Sequence, residues 1–129
     1  MNVLIYGYGS MGKKRVKILR EMNHNIYFHD PNLGLITISE RKLDPDVVFV
    51  CTPPETHLEI AKEHLGKHIF IEKPLATSYN EAYLFVGDFE KTGKVGAVGY
   101  NWKYHPEIKE LKKKKFRNLR MAYLYYHTN

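Results

Sequence analysis

The stretch Met1-Asn-Val-Leu-Ile-Tyr-Gly-Tyr-Gly-Ser-Met-Gly12 decides the fold of this chain. Residues 3–6 are a short apolar run, which is typical of a strand buried on both faces of a parallel sheet. Gly7, Gly9 and Gly12 follow this run in the spacing G-x-G-x-x-G. Because this spacing follows a strand and opens a helix, it predicts a turn that binds the pyrophosphate of a dinucleotide.

A helical pattern over residues 13–22 supports this interpretation, since its apolar residues recur at helical spacing. The first glycine permits the tight turn, the second lets the backbone approach a pyrophosphate, and the third lets the helix pack closely. The free N–H groups near Ser10 and Met11, together with the helix dipole, favour the negative charge of phosphates.

Asp30 supplies the second part of the predicted site. It ends an expected strand over residues 25–30 and lies about 20 residues after the glycines, where a dinucleotide site places an acid. A carboxylate there accepts hydrogen bonds from both ribose hydroxyls of the adenosine half. It also repels a 2′-phosphate, so we expect NAD rather than NADP. The alternative is a glycine-rich turn followed by a solvated aspartate.

The 129-residue chain is long enough for one domain with a core, and its formal net charge is +6. The excess of cations lies in residues 13–15 and 112–120. We interpret both runs as solvated helix faces, although the run beside the glycine turn is also placed to attract an anionic cofactor. The second run has aromatic neighbours but no nucleic-acid-binding motif around it, so no nucleic-acid partner is expected.

The chain has one cysteine, Cys51, so no internal disulfide is possible. We interpret Cys51 as a small core residue rather than a reactive thiol. There is no secretory signal and no apolar run of the roughly 20 residues that span a bilayer, so no membrane partner is expected. The scattered histidines predict no metal site. We therefore expect a cytoplasmic protein.

The remaining pattern predicts an α/β domain of the Rossmann type, a doubly wound and mostly parallel sheet with helices on both faces. Further strands are predicted at residues 46–51, 68–71 and 95–98, and further helices at residues 55–65, 79–91 and 106–115. Residues 31–45 are too interrupted by proline and glycine for a full crossover helix, and only residues 35–38 suit a short strand. One flank of the sheet is therefore expected to be poorly covered, as an exposed patch or a partner surface.

Polar residues follow two strands at the carboxyl edge, where ligands bind in open α/β sheets. Thr52 and Pro53 end one strand, and His57 lies in the first turn of the next helix, where a structural role is commoner than a catalytic one. Glu72 and Lys73 follow the next strand. They form either an exposed ion pair or a functional pair in which Glu72 orients Lys73 toward the cleft.

Taken together, these motifs resemble the glucose–fructose oxidoreductase / inositol dehydrogenase / MocA family over nearly the whole chain. The motifs are Gly7-Tyr-Gly-Ser-Met-Gly12, Asp30, Cys51-Thr-Pro-Pro-Glu-Thr-His57, Glu72-Lys-Pro74 and Val98-Gly-Tyr-Asn-Trp-Lys-Tyr-His-Pro106. The two motifs that contain proline are more specific than the glycines. The resemblance implies a nicotinamide-dependent oxidoreductase that transfers a hydride to or from a sugar, a polyol or a related alcohol.

The resemblance also implies roles for single residues. Thr52 and Pro53 line the nicotinamide with His57 close behind, Glu72 lies near the nicotinamide, and Lys73 reaches the substrate. Lys73 is the catalytic candidate, because an ammonium can hydrogen-bond the reacting hydroxyl and stabilise the developing alkoxide. The predicted cofactor-binding residues are Gly7, Tyr8, Gly9, Ser10, Met11, Gly12, Asp30, Thr52, Pro53, His57, Glu72 and Lys73.

The chain departs from the family pattern in two places. Trp102 and Lys103 stand where two arginines often follow the asparagine of the Gly-Tyr-Asn segment. Family members also carry a second domain with a large, mostly antiparallel sheet. Residues 1–118 are predicted to form the dinucleotide-binding domain and residues 119–129 the start of that C-terminal substrate domain, which is largely absent.

Two functions are compatible with this organisation. The first is the cofactor-binding domain of an NAD(P)-dependent oxidoreductase, poorly active alone because most substrate contacts lie in the absent part. The second is a non-catalytic NAD-binding sensor or docking module, which needs the glycines and Asp30 but not Lys73. Self-association or association with another chain is expected, because a strand predicted at residues 120–127 would present an unpaired edge.

Overall fold

The computed structural model of the protein describes residues 1–36 and 43–114. Its strands are β1 (Asn2–Tyr6), β2 (Asn25–Asp30), β3 (Leu35–Ile36), β4 (Val47–Val50), β5 (His68–Ile71) and β6 (Gly96–Val98). Its helices are α1 (Ser10–Glu21), α2 (His57–Glu63), α3 (Tyr79–Glu90) and α4 (Pro106–Lys113). The strands form one sheet in the order β3-β2-β1-β4-β5-β6.

Five of the six strands are parallel, with β1 near the centre and paired with both β2 and β4. The chain winds from β1 to β2 in one direction and from β4 through β5 to β6 in the other. This reversal of direction leaves a crevice at the carboxyl ends of β1 and β4, where open α/β sheets bind ligands. The Rossmann-type fold predicted from the sequence is confirmed.

The short strand β3 is antiparallel to β2, with Asp30 opposite Leu35 and His29 opposite Ile36. A parallel partner would need a crossover of about a dozen residues or more, and only residues 31–34 separate β2 from β3. A 3₁₀ turn at Pro31–Leu33 and Gly34, with φ +63°, reverse the chain instead. The strand predicted at residues 35–38 therefore forms at least over its first half, and its second half lies outside the described residues.

The core lies on both faces of the sheet, because parallel strands are covered on each side. On one face, α1 packs Val16 and Leu19 against Val3 and Ile5 of β1. On the other face, α2 and α3 cover alternate strand residues; the buried cluster there contains Leu4, Tyr6, Val48, Val50, Leu58, Ala61, Ile69, Ile71, Phe85 and Phe89. Each large aliphatic side chain buried in this way contributes about 1.5–3 kcal/mol. The predicted helices on both faces are thus confirmed.

Element bounds differ from the sequence predictions where local geometry intervenes. Helix α1 begins at Ser10, directly after its N-cap residue Gly9, rather than at residue 13. Residues Pro54–Thr56 form a 3₁₀ turn before α2, which shortens the predicted helix. The strand predicted at residues 120–127 and the predicted boundary at residue 118 lie outside the described residues. No helix in the described part of the chain is long and apolar enough to cross a membrane.

Candidate functional site

The glycine turn between β1 and α1 leaves no room for two side chains. Gly7 has a φ of +84°, and a Cβ on it would lie 2.7 Å from the carbonyl oxygen of Cys51. A Cβ on Gly12 would overlap the carbonyl oxygen of Gly7. By contrast, a Cβ on Gly9 would have no neighbour within 4 Å. The turn therefore packs tightly on its inner side and is open to a ligand at its middle.

Helix α1 begins without a side-chain cap, because its N-cap residue is Gly9. Lys13 N donates to Gly9 O at 2.9 Å. The N–H groups of Ser10, Met11 and Gly12 precede this first helical hydrogen bond. The first turn of α1 also lacks an acidic residue, so no carboxylate there offsets the positive end of the helix dipole. Such a helix start favours an anion such as a phosphate.

Asp30 lies at the end of β2, with its carboxylate held beside the glycine turn. Its Oδ2 accepts the backbone N–H of Tyr8 at 2.7 Å, and its Oδ1 accepts that of Asn32 at 3.1 Å. A carboxylate has about four lone-pair sites, so both oxygens keep acceptor capacity for hydroxyl groups. Tyr8 takes part through its backbone, while its ring packs edge-on against Phe28 at 5.0 Å between centroids.

A groove of about 850 Å³ follows the carboxyl ends of β1, β2 and β4. Seven predicted site residues line it, namely Gly7, Gly9, Ser10, Met11, Asp30, Thr52 and Pro53. Five do not line it, namely Tyr8, Gly12, His57, Glu72 and Lys73. The structure therefore brings the glycine turn, the acid and the threonine–proline pair together in one groove.

His57 lies behind this groove with 1% of its surface exposed. Its Nδ1 is 2.8 Å from the carbonyl oxygen of Pro74, and its Nε2 is 2.8 Å from that of Thr52. Carbonyl oxygens only accept, so each hydrogen bond that forms is donated by the imidazole. His57 thus ties the segment after β4 to the segment after β5, and this supports the structural role considered from the sequence.

Glu72 has a different partner from the one that the sequence suggested. Arg15 donates from Nε and Nη2 to Glu72 Oε1, at 2.9 and 2.6 Å, and this ion pair is largely buried. The Arg15 guanidinium also lies over the Phe70 ring, 4.7 Å from its centroid. The ion pair between Glu72 and Lys73 is therefore contradicted, while a role of Lys73 at the ligand stays a prediction. The charge of Glu72 is balanced by Arg15 of α1 rather than by Lys73, its neighbour in the chain.

Lys73 lies between two fixed residues but has an exposed side chain. Glu72 before it is held by Arg15, and Pro74 after it is held by His57. Within residues 1–36 and 43–114, no hydrogen bond or ion pair engages the Lys73 ammonium. The backbone of this lysine is thus anchored, while its charged end remains available.

Cys51 follows β4 at the inner side of the glycine turn. Burial, with a smaller contribution from the negative charge of Glu72, raises the pKa of its thiol from 9.0 to about 12, although Arg15 acts in the opposite direction. Because the thiolate is the reactive form, the environment of Cys51 supports its interpretation as a core residue.

Cys51 should therefore resist alkylation. At pH 8, iodoacetamide is expected to label the folded protein about a thousandfold more slowly than the urea-unfolded chain, since a pKa about three units higher reduces the thiolate fraction by that factor. Glu72→Gln should speed the labelling, because it removes a charge that raises the pKa of the thiol. Labelling of the folded protein at the rate of the unfolded chain would contradict this environment.

The free energy of unfolding should also fall as the pH rises from 9 toward 12, because the thiol of the unfolded chain loses its proton first.

Sequence reasoning missed Arg15, which it grouped with Lys13 and Lys14 as a solvated cluster. Gly12, Val16 and Leu19 are the buried residues of α1. Arg15 lies three residues after Gly12 and four before Leu19, so helical spacing places it on the same face. That spacing was the available signal. The reasoning also missed the groove wall from α2, which consists of Glu59, Ile60 and Glu63.

Side chains that could bind a metal are not clustered in the part of the chain that the structure describes. No group of three or more histidine, cysteine, aspartate or glutamate side chains there could hold a metal ion. The described groove offers backbone N–H groups at the start of α1 and the carboxylates of Asp30, Glu59 and Glu63.

This combination of fold and groove defines a dinucleotide-binding domain of the Rossmann class. Residues 14–100 match the oxidoreductase family with an NAD-binding Rossmann fold known as GFO_IDH_MocA, and the chain belongs to this family. The matched residues begin after the glycine turn, so the geometry of the turn supports the assignment independently. The resemblance stated from the sequence motifs is confirmed.

Several curated relatives carry similar sequences. The uncharacterized oxidoreductase YrbE of Bacillus subtilis is 29% identical over 128 residues, which cover 84% of this chain and 38% of that protein. The scyllo-inositol 2-dehydrogenase (NAD(+)) of the same organism is 32% identical over 71 residues, or 54% of this chain and 21% of that protein. The chain thus spans well under half the length of these relatives.

Solved structures share the fold. UDP-N-acetylglucosamine 3-dehydrogenase from Acidithiobacillus ferrooxidans superposes with a TM-score of 0.76 and 24% identity, covering 88% of this chain and 41% of that chain. A protein of gentamicin A biosynthesis, solved in complex with NAD, gives a TM-score of 0.72 at 24% identity, covering 88% of this chain and 38% of that chain. At this level of identity the likeness establishes the fold.

Proposed function

We propose that the chain is the NAD-binding part of an oxidoreductase that transfers a hydride between nicotinamide and a sugar- or polyol-type alcohol. The observation that carries the proposal is the start of α1. Three N–H groups there precede the helical hydrogen bonds, Gly9 is open beside them, and Asp30 lies at the same groove. These residues fit a dinucleotide, whose pyrophosphate needs N–H donors and whose ribose needs an acceptor.

The preference for NAD over NADP rests on Asp30. Its oxygens are fixed by the N–H groups of Tyr8 and Asn32, so the carboxylate cannot turn away without breaking two hydrogen bonds. A 2′-phosphate at this position would place like charges together, whereas ribose hydroxyls can donate to the remaining lone pairs.

Thr52, Pro53 and Glu72 are proposed to form the nicotinamide end of the site. A bound nicotinamide would supply the hydride chemistry. Lys73 would hydrogen-bond the reacting hydroxyl and hold positive charge where the alkoxide develops. Its backbone is anchored on both sides and its ammonium is exposed, which suits a group that must meet a ligand arriving from outside the domain.

The substrate class is proposed from the relatives. Several are named as dehydrogenases of inositols or of a nucleotide-linked sugar, all of which offer secondary alcohols. We extend this substrate class to the present chain. We also propose a cytoplasmic location, and self-association or association with another chain. Because the chain covers only 38% of the YrbE relative, turnover is proposed for the whole protein, in which these residues supply the cofactor site.

Calorimetric titration of the chain with NADH, and of its Lys73→Ala variant, tests the proposal. We expect the chain to bind NADH and the variant to bind within about twofold of the parent, because Lys73 lies outside the groove and is assigned to the substrate. Lys94→Ala, which removes an exposed lysine remote from the carboxyl edge, is the matched control. Failure of the parent chain to bind NADH would contradict the proposed function. A large loss of NADH binding in Lys73→Ala alone would contradict the assignment of Lys73 to the substrate.

A further inference from the structure

We propose that Arg15 is a positioning residue that holds the Glu72 carboxylate away from Lys73. By this means the Lys73 ammonium remains available for the substrate. The inference rests on the proposed function of Lys73, and it assigns a role to a residue outside the dinucleotide motif. The Arg15–Glu72 ion pair connects the helix that starts at the glycine turn to the strand end that carries Lys73.

The geometry fixes the carboxylate firmly. Two guanidinium nitrogens of Arg15 reach the same oxygen, Oε1, at 2.9 and 2.6 Å. The guanidinium lies over the face of Phe70 at 4.7 Å, an arrangement that favours a planar cation. The side chains of Arg15 and Glu72 are 18% and 8% exposed, so water competes weakly for either charge. Arg15 is thus oriented on two sides, by a ring and by a carboxylate.

The second oxygen of Glu72 is confined by the end of β6. A Cβ on Gly99 would lie 2.8 Å from Glu72 Oε2, so any side chain at this position would displace the carboxylate. Gly99 N also donates to Ile71 O at 2.8 Å, which keeps this strand end next to β5. The site that receives Glu72 is therefore built from α1, β5 and β6.

A buried carboxylate without a partner is strongly disfavoured, so removing Arg15 would force Glu72 to find another cation or a proton. Lys73 is its neighbour in the chain and carries an ammonium that is not engaged by other described residues. Lys13 and Lys14 are exposed on α1, and Lys13 lies over the Tyr8 ring. Lys73 is the cation that we expect Glu72 to capture.

Competitive labelling of lysines with acetic anhydride at pH 9, read by mass spectrometry, tests this inference on the protein without any substrate. An ammonium held in an ion pair reacts more slowly, because only the free amine is nucleophilic. In Arg15→Met we expect Lys73 to be labelled at least about threefold more slowly than in the parent, the effect of a modest ion pair. The double variant Arg15→Met/Glu72→Gln should return labelling of Lys73 to within about twofold of the parent.

Lys94 provides the reference in the same digest, since it is exposed and far from Glu72. Glu72→Gln alone should leave Lys73 nearly unchanged, because Arg15 already occupies the carboxylate. Arg15→Lys keeps the charge but loses the planar fork, and we expect an intermediate slowing. If Arg15→Met does not fold, the labelling of Lys73 is compared between Arg15→Lys and Arg15→Lys/Glu72→Gln. Slowing in the first variant that is reversed in the second supports the inference.

Unchanged labelling of Lys73 in folded Arg15→Met, or slowing that Glu72→Gln does not reverse, would overturn the inference. NADH titration of the same variants separates this result from the proposed function. Binding of NADH by the parent with no response of Lys73 would refute only the role of Arg15. Absence of NADH binding in the parent would refute the proposed function, whatever Lys73 does.

Discussion

Gly12→Ala is expected to reduce NADH binding roughly a hundredfold and to lower the free energy of unfolding by about 2–3 kcal/mol. The added methyl group would overlap the carbonyl oxygen of Gly7, which is backbone and cannot rotate away. Relief requires α1 to move from the turn, and overpacking of this kind costs about 1–3 kcal/mol. The movement also displaces the N–H groups of Ser10 and Met11, and losing one or two charge-assisted hydrogen bonds of about 1.5–3 kcal/mol each accounts for the lost affinity.

Gly87→Ala is the matched control for this experiment. Gly87 lies within α3, and a Cβ there would have no neighbour within 4 Å. An alanine in a helix is favoured over glycine by about 0.5–1 kcal/mol, so this variant should be slightly more stable and should bind NADH as the parent does. Thermal unfolding and calorimetry measure both effects. Equal behaviour of the two variants would show that the close contact between the helix and the turn does not shape the site.

Asp30→Asn is expected to change the ratio of NADH to NADPH affinity by tenfold or more, in favour of NADPH. Asparagine has nearly the same shape and, with its oxygen toward the Tyr8 N–H, keeps the shorter of the two backbone hydrogen bonds; it loses the one that Asp30 Oδ1 accepts from Asn32. The turn should therefore survive. The negative charge that would face a 2′-phosphate is removed, and like charges near a protein surface at about 4 Å repel by several kcal/mol at most.

Asp46→Asn provides the control for Asp30→Asn. The Asp46 carboxylate also accepts a backbone N–H, from Asn2 at 2.7 Å, but it lies at the opposite end of the sheet. Both variants should lose a similar small amount of stability, and only Asp30→Asn should alter cofactor preference. An unchanged ratio of the two affinities in Asp30→Asn would mean that another residue distinguishes the ribose from its phosphate.

The local parts of this molecule were predictable from the sequence because their determinants are close together in the chain. The strand, the glycine turn, α1 and Asp30 follow one another within 30 residues, and the structure places the turn and the acid in one groove. The short segment after Asp30 likewise revealed that a crossover helix was missing. The antiparallel direction of β3 follows from the short length of residues 31–34, but it was not inferred from the sequence pattern.

The partners of Glu72 and His57 were not predictable in the same way. Glu72 meets Arg15 across 57 positions of sequence, and the contact depends on how α1 crosses the sheet. Helical spacing could have indicated that Arg15 faces inward, but it carries no information about which carboxylate lies opposite. Both ring nitrogens of His57 lie 2.8 Å from backbone carbonyl oxygens. Every residue possesses such an oxygen, so no side-chain pattern identifies the partners.

The anchoring of residues 72–74 from both faces of the sheet has a consequence for preorganisation. Arg15 holds Glu72 from the face covered by α1, and His57 holds Pro74 from the face covered by α2. Fixing the backbone of one residue costs about 1–2 kcal/mol in conformational entropy, so ordering this tripeptide costs roughly 3–6 kcal/mol. Folding incurs that cost before any ligand arrives. A ligand that engages Lys73 then has to order only the lysine side chain, and more of its interaction energy is retained as affinity.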